Sequence, residues 1–245
     1  MNKTMIPAAL AALLCVVVSS TAAAQTQDPT TFFLDINAGG QTQSRSFETT
    51  TSFPLHGETA VINTAQGVSG GGIFDLSVGY RFMRNFAVGL GVTTFSDTGD
   101  ASVAASIPSP AAFNRPASVS TSMSDLKHRE VATHLMLVYT RLVPAMVVPG
   151  NLEVALNVGP SFFNVSQDLV TAAVPTGTQN LNLSTHRERA TAVGANIGVN
   201  VNYLLRPNYG AGVFLRYAGA SADFDTAGKL KVGGLQLGIG LRLRY

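Results

Sequence analysis

Residues 235–245 read Leu-Gln-Leu-Gly-Ile-Gly-Leu-Arg-Leu-Arg-Tyr, with a large apolar side chain at every second position. The residues between them are polar or are glycines. A hydrophobic period of two predicts a β-strand. About 11 residues is also the length that a tilted strand needs to cross a bilayer. The stretch therefore predicts one strand of a transmembrane barrel.

The same alternation recurs in seven earlier stretches. The eight predicted strands are 31–41, 73–82, 86–94, 130–140, 151–163, 190–203, 209–217 and 235–245. The segments 42–72, 95–129, 164–189 and 218–232 are predicted loops, although Leu181 and Leu183 suggest that the third hairpin continues above the membrane. Long loops on one side and shorter turns on the other are typical of bacterial outer-membrane barrels. The sequence predicts an all-β protein, an eight-stranded antiparallel up-and-down transmembrane β-barrel, with both termini in the periplasm.

The first 24 residues have the features of a secretory signal peptide. Lys3 is followed by an apolar run and then by Ala22-Ala23-Ala24 before Gln25. Such a segment is removed on export, so residues 25–245 form the predicted mature barrel domain. The lone Cys15 lies in the removed part, and the mature protein is expected to lack disulfides.

The composition excludes several classes of protein. The net charge of +2 and the absence of a basic cluster with interleaved aromatic residues argue against nucleic-acid binding. After residue 24 there is no apolar run of the length that a transmembrane helix requires.

The volume of a small barrel decides which face of the strands is outside. Eight strands enclose an interior that barely accommodates its own side chains, so the many large apolar residues cannot all point inward. They are therefore predicted to face lipid. The glycine-rich opposite face leaves room for polar side chains in the lumen.

Seven charged residues fall on the predicted inner face. They are Asp35, Asp75, Arg81, Glu153, Arg216, Arg242 and Arg244. Buried charges must be paired, so these residues form either a salt-bridged plug that holds the lumen shut or a polar gate for small solutes. The narrow interior of an eight-stranded barrel favours the plug over the gate.

No catalytic, cofactor-binding or metal site is predicted. His134 is expected to face inward as a hydrogen-bonded structural residue, without a placed serine and carboxylate beside it. His56, His128 and His186 fall in predicted loops at scattered positions. The glycine cluster 67–72 lacks the Lys-Ser/Thr of a phosphate-binding loop.

The mature sequence resembles the small eight-stranded outer-membrane proteins of the OmpA transmembrane-domain, OmpX and OmpW kind. In such proteins the last strand, with its terminal aromatic residue, looks like the signal read by the barrel assembly machinery. The residues that fit it here are Leu235, Leu237, Ile239, Leu241, Leu243 and Tyr245.

The function expected from this reading is structural or one of surface interaction through long extracellular loops. The expected partners are outer-membrane lipid and lipopolysaccharide, the assembly machinery and an extracellular ligand at the loops, and the protein is expected to be a monomer and not an enzyme. The OmpW resemblance implies an alternative, a narrow channel for small or hydrophobic solutes. A third reading is a lipid-modifying enzyme on a barrel scaffold, which would require a nucleophile and a base at the outer rim.

Overall fold

The computed structural model describes residues 31–42, 45–144, 151–174, 181–225 and 228–245. The predicted signal peptide, residues 1–24, lies outside these residues. The ten strands are β1 (Phe32–Gln41), β2 (Arg45–Leu55), β3 (Glu58–Val68), β4 (Gly71–Met83), β5 (Phe86–Ile107), β6 (Ala117–Pro144), β7 (Asn151–Ala173), β8 (Asn182–Arg206), β9 (Tyr209–Phe224) and β10 (Gly228–Arg244). Across the described ranges, no helix is long and apolar enough to cross a membrane.

Eight of these strands form a closed antiparallel ring. Its order is β1-β4-β5-β6-β7-β8-β9-β10, and pairing between β1 and β10 joins the two ends of the chain. The predicted eight-stranded up-and-down barrel is confirmed. We call the side with the short connections β4–β5 and β8–β9 the turn end, and the opposite side the hairpin end.

The remaining strands, β2 and β3, continue the first hairpin. Gln41 pairs with Gly71 at the end of β1–β4, and Arg45 pairs with Val68 at the start of β2–β3. His56 and Gly57 close this hairpin, both with positive φ (52° and 80°), as a two-residue primed turn requires. The first hairpin thus has two long sides, each interrupted once: one consists of β1 and β2, and the other of β3 and β4.

The predicted long loops are wrong, because most of their residues are in strands. Pairing of β5 with β6 continues to Ile107–Ala117, and pairing of β7 with β8 continues to Ala173–Asn182. The added residues are mainly Ser, Thr and Ala, which pair through their backbones without producing a strong hydrophobic period. The predicted extension of the third hairpin is confirmed.

Close to the turn end, the barrel exposes its apolar face. Leu237 is 56% exposed while its neighbour Gln236 is 2% exposed, so the predicted faces of the last strand are correct. Similar exposed residues on the other strands form a belt that includes Phe74, Val88, Leu135, Val158, Ile197 and Val213. An apolar belt of this kind faces lipid in a transmembrane barrel.

Near the hairpin end, the pattern is reversed. Ile62, Val103, Ala105 and Ile107 form a buried cluster, and apolar residues from β2, β6 and the β7–β8 hairpin pack against it. The outward residues between them, such as Ser102, are exposed. This part of the barrel has the apolar interior and polar exterior of a water-soluble sheet.

Candidate functional site

Asp75 of β4 lies at the centre of the lumen and is fully buried. Its carboxylate accepts hydrogen bonds of 2.7 Å from the guanidinium of Arg216, the hydroxyl of Thr93 and the amide of Asn37, and one of 3.3 Å from Ser77. β1, β4, β5 and β9 are thereby joined through one acidic side chain. The interaction is a buried ion pair in which both oxygens of the acid are hydrogen-bonded, while Nε of Arg216 has no hydrogen-bond partner among the described residues.

A second group of charges lies nearer the turn end. Arg244 bridges two acids, at 2.6 Å from Asp35 and 2.8 Å from Glu153. Arg81 is 3.3 Å from the other oxygen of Glu153, and Arg242 is 3.9 Å from Asp35. Three cations therefore surround two carboxylates within a polar interior.

Two asparagines connect these groups. Asn37 donates to Asp75 and accepts a 2.6 Å hydrogen bond from Arg242, which also donates to Asn202 at 2.6 Å. Asn202 in turn donates to Glu153 at 2.9 Å. The seven charged residues singled out in the sequence thus lie in one connected network of ion pairs and hydrogen bonds.

A third polar cluster, nearer the hairpin end, was missed in the sequence. The carboxylate of Glu130 accepts from Arg45 at 3.0 Å and from the backbone amide of Gly233 at 2.8 Å, and it lies 2.8 Å from the ring of His128. The other ring nitrogen of His128 contacts Gln167. Sequence analysis placed Arg45 and His128 in loops. The available signal was the spacing of His128 and Glu130, because residues two apart share a face of a strand.

Backbone conformation at Gly233 supports this third cluster. The φ angle is 80°, and a Cβ there would lie 2.1 Å from the carbonyl oxygen of Ala218. The Gly233 carbonyl accepts from Gln41 at 3.1 Å while its amide donates to Glu130. Only glycine adopts this conformation without a clash, so it is required at this position of β10, just beyond the end of the β1–β10 pairing at Gln41–Gln236.

His134 faces inward as predicted and has two hydroxyl partners. Its ring lies 2.7 Å from Ser161 and 3.1 Å from Thr93, which donates to Asp75. A serine, a histidine and a carboxylate are thus connected through Thr93, and Ser161 and His134 are both fully buried. In the described ranges, no group of three or more His, Cys, Asp or Glu residues is arranged to hold a metal ion.

The cavity beside the charged network is small. A cavity of about 20 Å³ lies among Asp35, Arg81, Glu153 and Arg244, which is room for about one water molecule. Toward the hairpin end, Phe95 and Phe214 pack in an inward-facing apolar cluster, and the Ile62 cluster lies beyond it. Among the described residues, charged side chains line the lumen near the turn end and apolar side chains line it near the hairpin end.

The residues of the predicted assembly signal lie on β10 and immediately after it. Exposed outward side chains are Leu235, Leu237, Ile239, Leu241 and Tyr245, while Leu243 is partly buried. Tyr245 pairs through its backbone with Phe32 in both directions, at 2.8 and 2.9 Å. Recognition by an assembly machinery stays a prediction.

No protein-family model and no curated protein sequence matches the chain. Similar solved structures are Neisserial surface protein A (14% identity, 87% of this chain and 97% of that chain, TM-score 0.43) and the N-terminal β-barrel domain of Pseudomonas aeruginosa OprF (14%, 88% and 98%, 0.41). The attachment invasion locus protein Ail of Yersinia pestis is a third (13%, 86% and 98%, 0.37). These similarities concern the fold alone. The ring of eight strands confirms the fold that the sequence resemblance implies, and the role of the chain must be argued from its own residues.

Proposed function

We propose that this protein is a bacterial outer-membrane barrel with a closed lumen, whose role is structural or lies in surface interactions of its hairpin end. In this proposal the hairpin end faces the cell exterior and the turn end, with both termini of the mature chain, faces the periplasm. The barrel acts as a rigid membrane anchor. Its hairpins act as the part that meets other molecules.

The main observation that supports a closed lumen is its network of ion pairs. Asp75, Glu153, Arg216, Arg242 and Arg244 are each at most 3% exposed. Removing one partner from a buried ion pair costs about 3–5 kcal/mol, because the other charge is left uncompensated. A passage through the lumen would break several such contacts at once, so the ground state is held shut.

The construction of the hairpin end supports exposure to water. The clustered apolar side chains of its strands are turned inward, and the β5–β6 and β7–β8 pairings extend well beyond the lipid-facing belt, with one irregularity between Gly99 and Ala101. At the tip between β5 and β6, Phe113 is 72% exposed, and the amide of Asn114 is fixed to Glu58 of β3 at 2.7 Å. A rigid wall that presents an exposed aromatic residue at its tip suits a surface for protein or carbohydrate contacts.

Single-channel conductance in a planar bilayer tests the closed lumen. Refolded protein spanning residues 25–245 is expected to give a silent bilayer, with folding verified by the mobility shift of unheated samples on gels. Asp75→Asn and Arg216→Gln are measured alongside. Each variant removes one partner of the Asp75–Arg216 ion pair. Brief channel openings, if they occur, should therefore be more frequent in the variants than in the native protein.

The alternative is the narrow channel, and the small cavity among Asp35, Arg81, Glu153 and Arg244 is the feature that favours it. Discrete, reproducible steps from the native protein, altered by the two variants, would establish the channel and refute the plug.

The same preparation tests the proposal that the protein is not an enzyme. Release of fatty acid from lipid A, lost in Ser161→Ala, would contradict it.

A further inference from the structure

Four basic residues lie on the outer surface where the apolar belt ends. Lys127 and Arg129 are on β6, and Arg187 and Arg189 are on β8. All four are exposed. We call them the cation patch. On β6 they alternate with the buried Leu126, His128 and Glu130, and on β8 Arg189 precedes the buried Ala190, so they share the outward face with the belt.

Strand register places the two inner arginines on either side of one small residue. Ser166 of β7 pairs with Arg129 on β6 and with Arg189 on β8. Strands are spaced about 4.8 Å apart, so the two arginine backbones are roughly 10 Å apart across Ser166. Arginine side chains are long enough to reach toward a common point above the serine.

The charge of the patch is poorly neutralised. Arg187 forms an ion pair with Asp168 at 2.7 Å. In the described part of the chain, no such ion pair involves Lys127, Arg129 or Arg189. Four cations against one carboxylate leave a patch that attracts an anion. Paired guanidinium groups bind phosphate well because the spacing of their N–H donors matches the spacing of the phosphate oxygens.

The surface changes in steps from the patch toward the membrane. Below Ser166 on β7 lies Asn164, paired with Thr191, and below Asn164 lies Phe162, paired with Val193. All four of these residues are exposed. Along one strand the outward face therefore presents cationic, then uncharged polar, then apolar groups. A phosphorylated lipid has the same order of phosphate, polar linkage and acyl chain.

We propose that the cation patch binds the phosphate of a lipid headgroup in the outer leaflet, with Arg129 and Arg189 as the phosphate ligands. The acyl chains of this lipid lie against Phe162 and Val193, and its polar linkage meets Asn164 and Thr191. The inference rests on the proposed orientation of the hairpin end toward the exterior. It narrows the expected lipopolysaccharide partner to one face of the barrel.

The test is a titration of the folded protein with lipid A, followed by native mass spectrometry in detergent. Bisphosphorylated lipid A and lipid A from which both phosphates have been removed are compared, and inorganic phosphate is added as a competitor. The variant Arg129→Gln/Arg189→Gln is compared with Lys229→Gln/Lys231→Gln, which removes the same charge from exposed positions on β10.

Specific binding predicts that the arginine pair weakens binding of bisphosphorylated lipid A roughly tenfold, while the lysine pair changes it less than about twofold. Dephosphorylated lipid A should bind the native protein about as weakly as bisphosphorylated lipid A binds the arginine variant. Equal losses in the two variants, or binding independent of the lipid phosphates, would overturn the proposal. Displacement by equimolar inorganic phosphate would instead assign the patch to a soluble anion.

Orientation is tested separately by protease treatment of intact cells. Cleavage within the β5–β6 connection supports the proposed exterior location. Protection of the hairpin end in intact cells but not in lysed cells would refute the orientation. The titration in detergent measures phosphate recognition whichever way the protein is oriented in the membrane. Failure of the two proposals can therefore be distinguished.

Discussion

The belt region and the hairpin end are built from the same strands but with opposite interiors. In the belt region, Leu237 faces out and Arg242 is fully buried in the lumen. At the hairpin end, Ile62 is buried and Lys231 is exposed. The alternation of side chains continues along each strand, and only the identity of the residues on its two faces changes. The solvent outside, lipid or water, explains the change.

Asp75→Asn should have the largest effect among the variants that test this comparison. Asparagine retains the shape of Asp75, but it replaces one of the two acceptor oxygens by an NH2 donor that faces other donors. It also leaves Arg216 buried without its counter-charge, so we expect a loss of about 3–5 kcal/mol in the free energy of unfolding. Urea unfolding of the barrel in lipid vesicles, followed by circular dichroism, measures it.

The control for this prediction is a double-mutant cycle with Arg216→Gln. When both charges are removed, the uncompensated charge disappears, so the double variant should lose less than the sum of the single variants. Simple additivity would show that the charges at the centre of the lumen are solvated rather than paired.

Leu237→Arg tests the lipid-facing side of the belt. An arginine near the middle of the membrane on this face should cost about 2–4 kcal/mol. Ser221→Arg is the matched control, because Ser221 is exposed on the adjacent strand β9 beyond the last exposed apolar residue of that strand, Tyr217. Equal unfolding free energies for the two variants would mean that the belt has been assigned to the wrong part of the strands.

Ile62→Ala and Ile239→Ala compare the same truncation in the two regions. Ile62 is 2% exposed within protein, whereas Ile239 is 68% exposed on the face assigned to lipid. Alanine at 62 leaves a cavity and should cost about 2–3 kcal/mol. At 239, lipid fills the space, so only the transfer free energy is lost and the cost should be smaller. A larger loss at 239 would argue that protein, not lipid, packs on the belt.

The sequence was sufficient to predict the faces of the membrane-spanning strands. Alternation such as Leu237 beside Gln236 is strong because the two environments differ greatly in polarity. The inward placement of Asp75 and Arg216 follows from the same period. Their contact does not, because it crosses the lumen and depends on the strand register and stagger of the closed barrel.

The hairpin end was harder to predict for a physical reason. In Ser102-Val103-Ala104-Ala105 the period of two is present, but small residues on both faces reduce its contrast. Residues assigned to loops, such as His128 and Arg45, were therefore not expected to meet in the interior. Their contacts with Glu130 form only because the strands continue past the belt.

Asp168→Asn should have the smallest effect and shows how weakly water-exposed charges contribute compared with those of the lumen. Asp168 is bound by Arg187 at 2.7 Å, with the arginine side chain 51% exposed. The hydrogen bond from Arg187 lowers the pKa of the Asp168 carboxyl below its ordinary value, against the opposing effect of partial burial. Exposed pairs are screened by water and salt, so the expected loss is about 0.2–1 kcal/mol.

The pH dependence of this loss follows from the direction of the pKa shift. Since the folded-state pKa of Asp168 is lowered, the stabilisation is fully present above the unfolded-state pKa and is lost as the pH falls through the folded-state pKa. The native protein and Asp168→Asn should differ in unfolding free energy at neutral pH and converge in acid, and the difference should shrink in high salt. A difference that persists in acid would mean that the asparagine disturbs packing at the hairpin end. The effect would then not be electrostatic, and Asp168→Asn could not be used to compare an exposed ion pair with the buried ion pairs of the lumen.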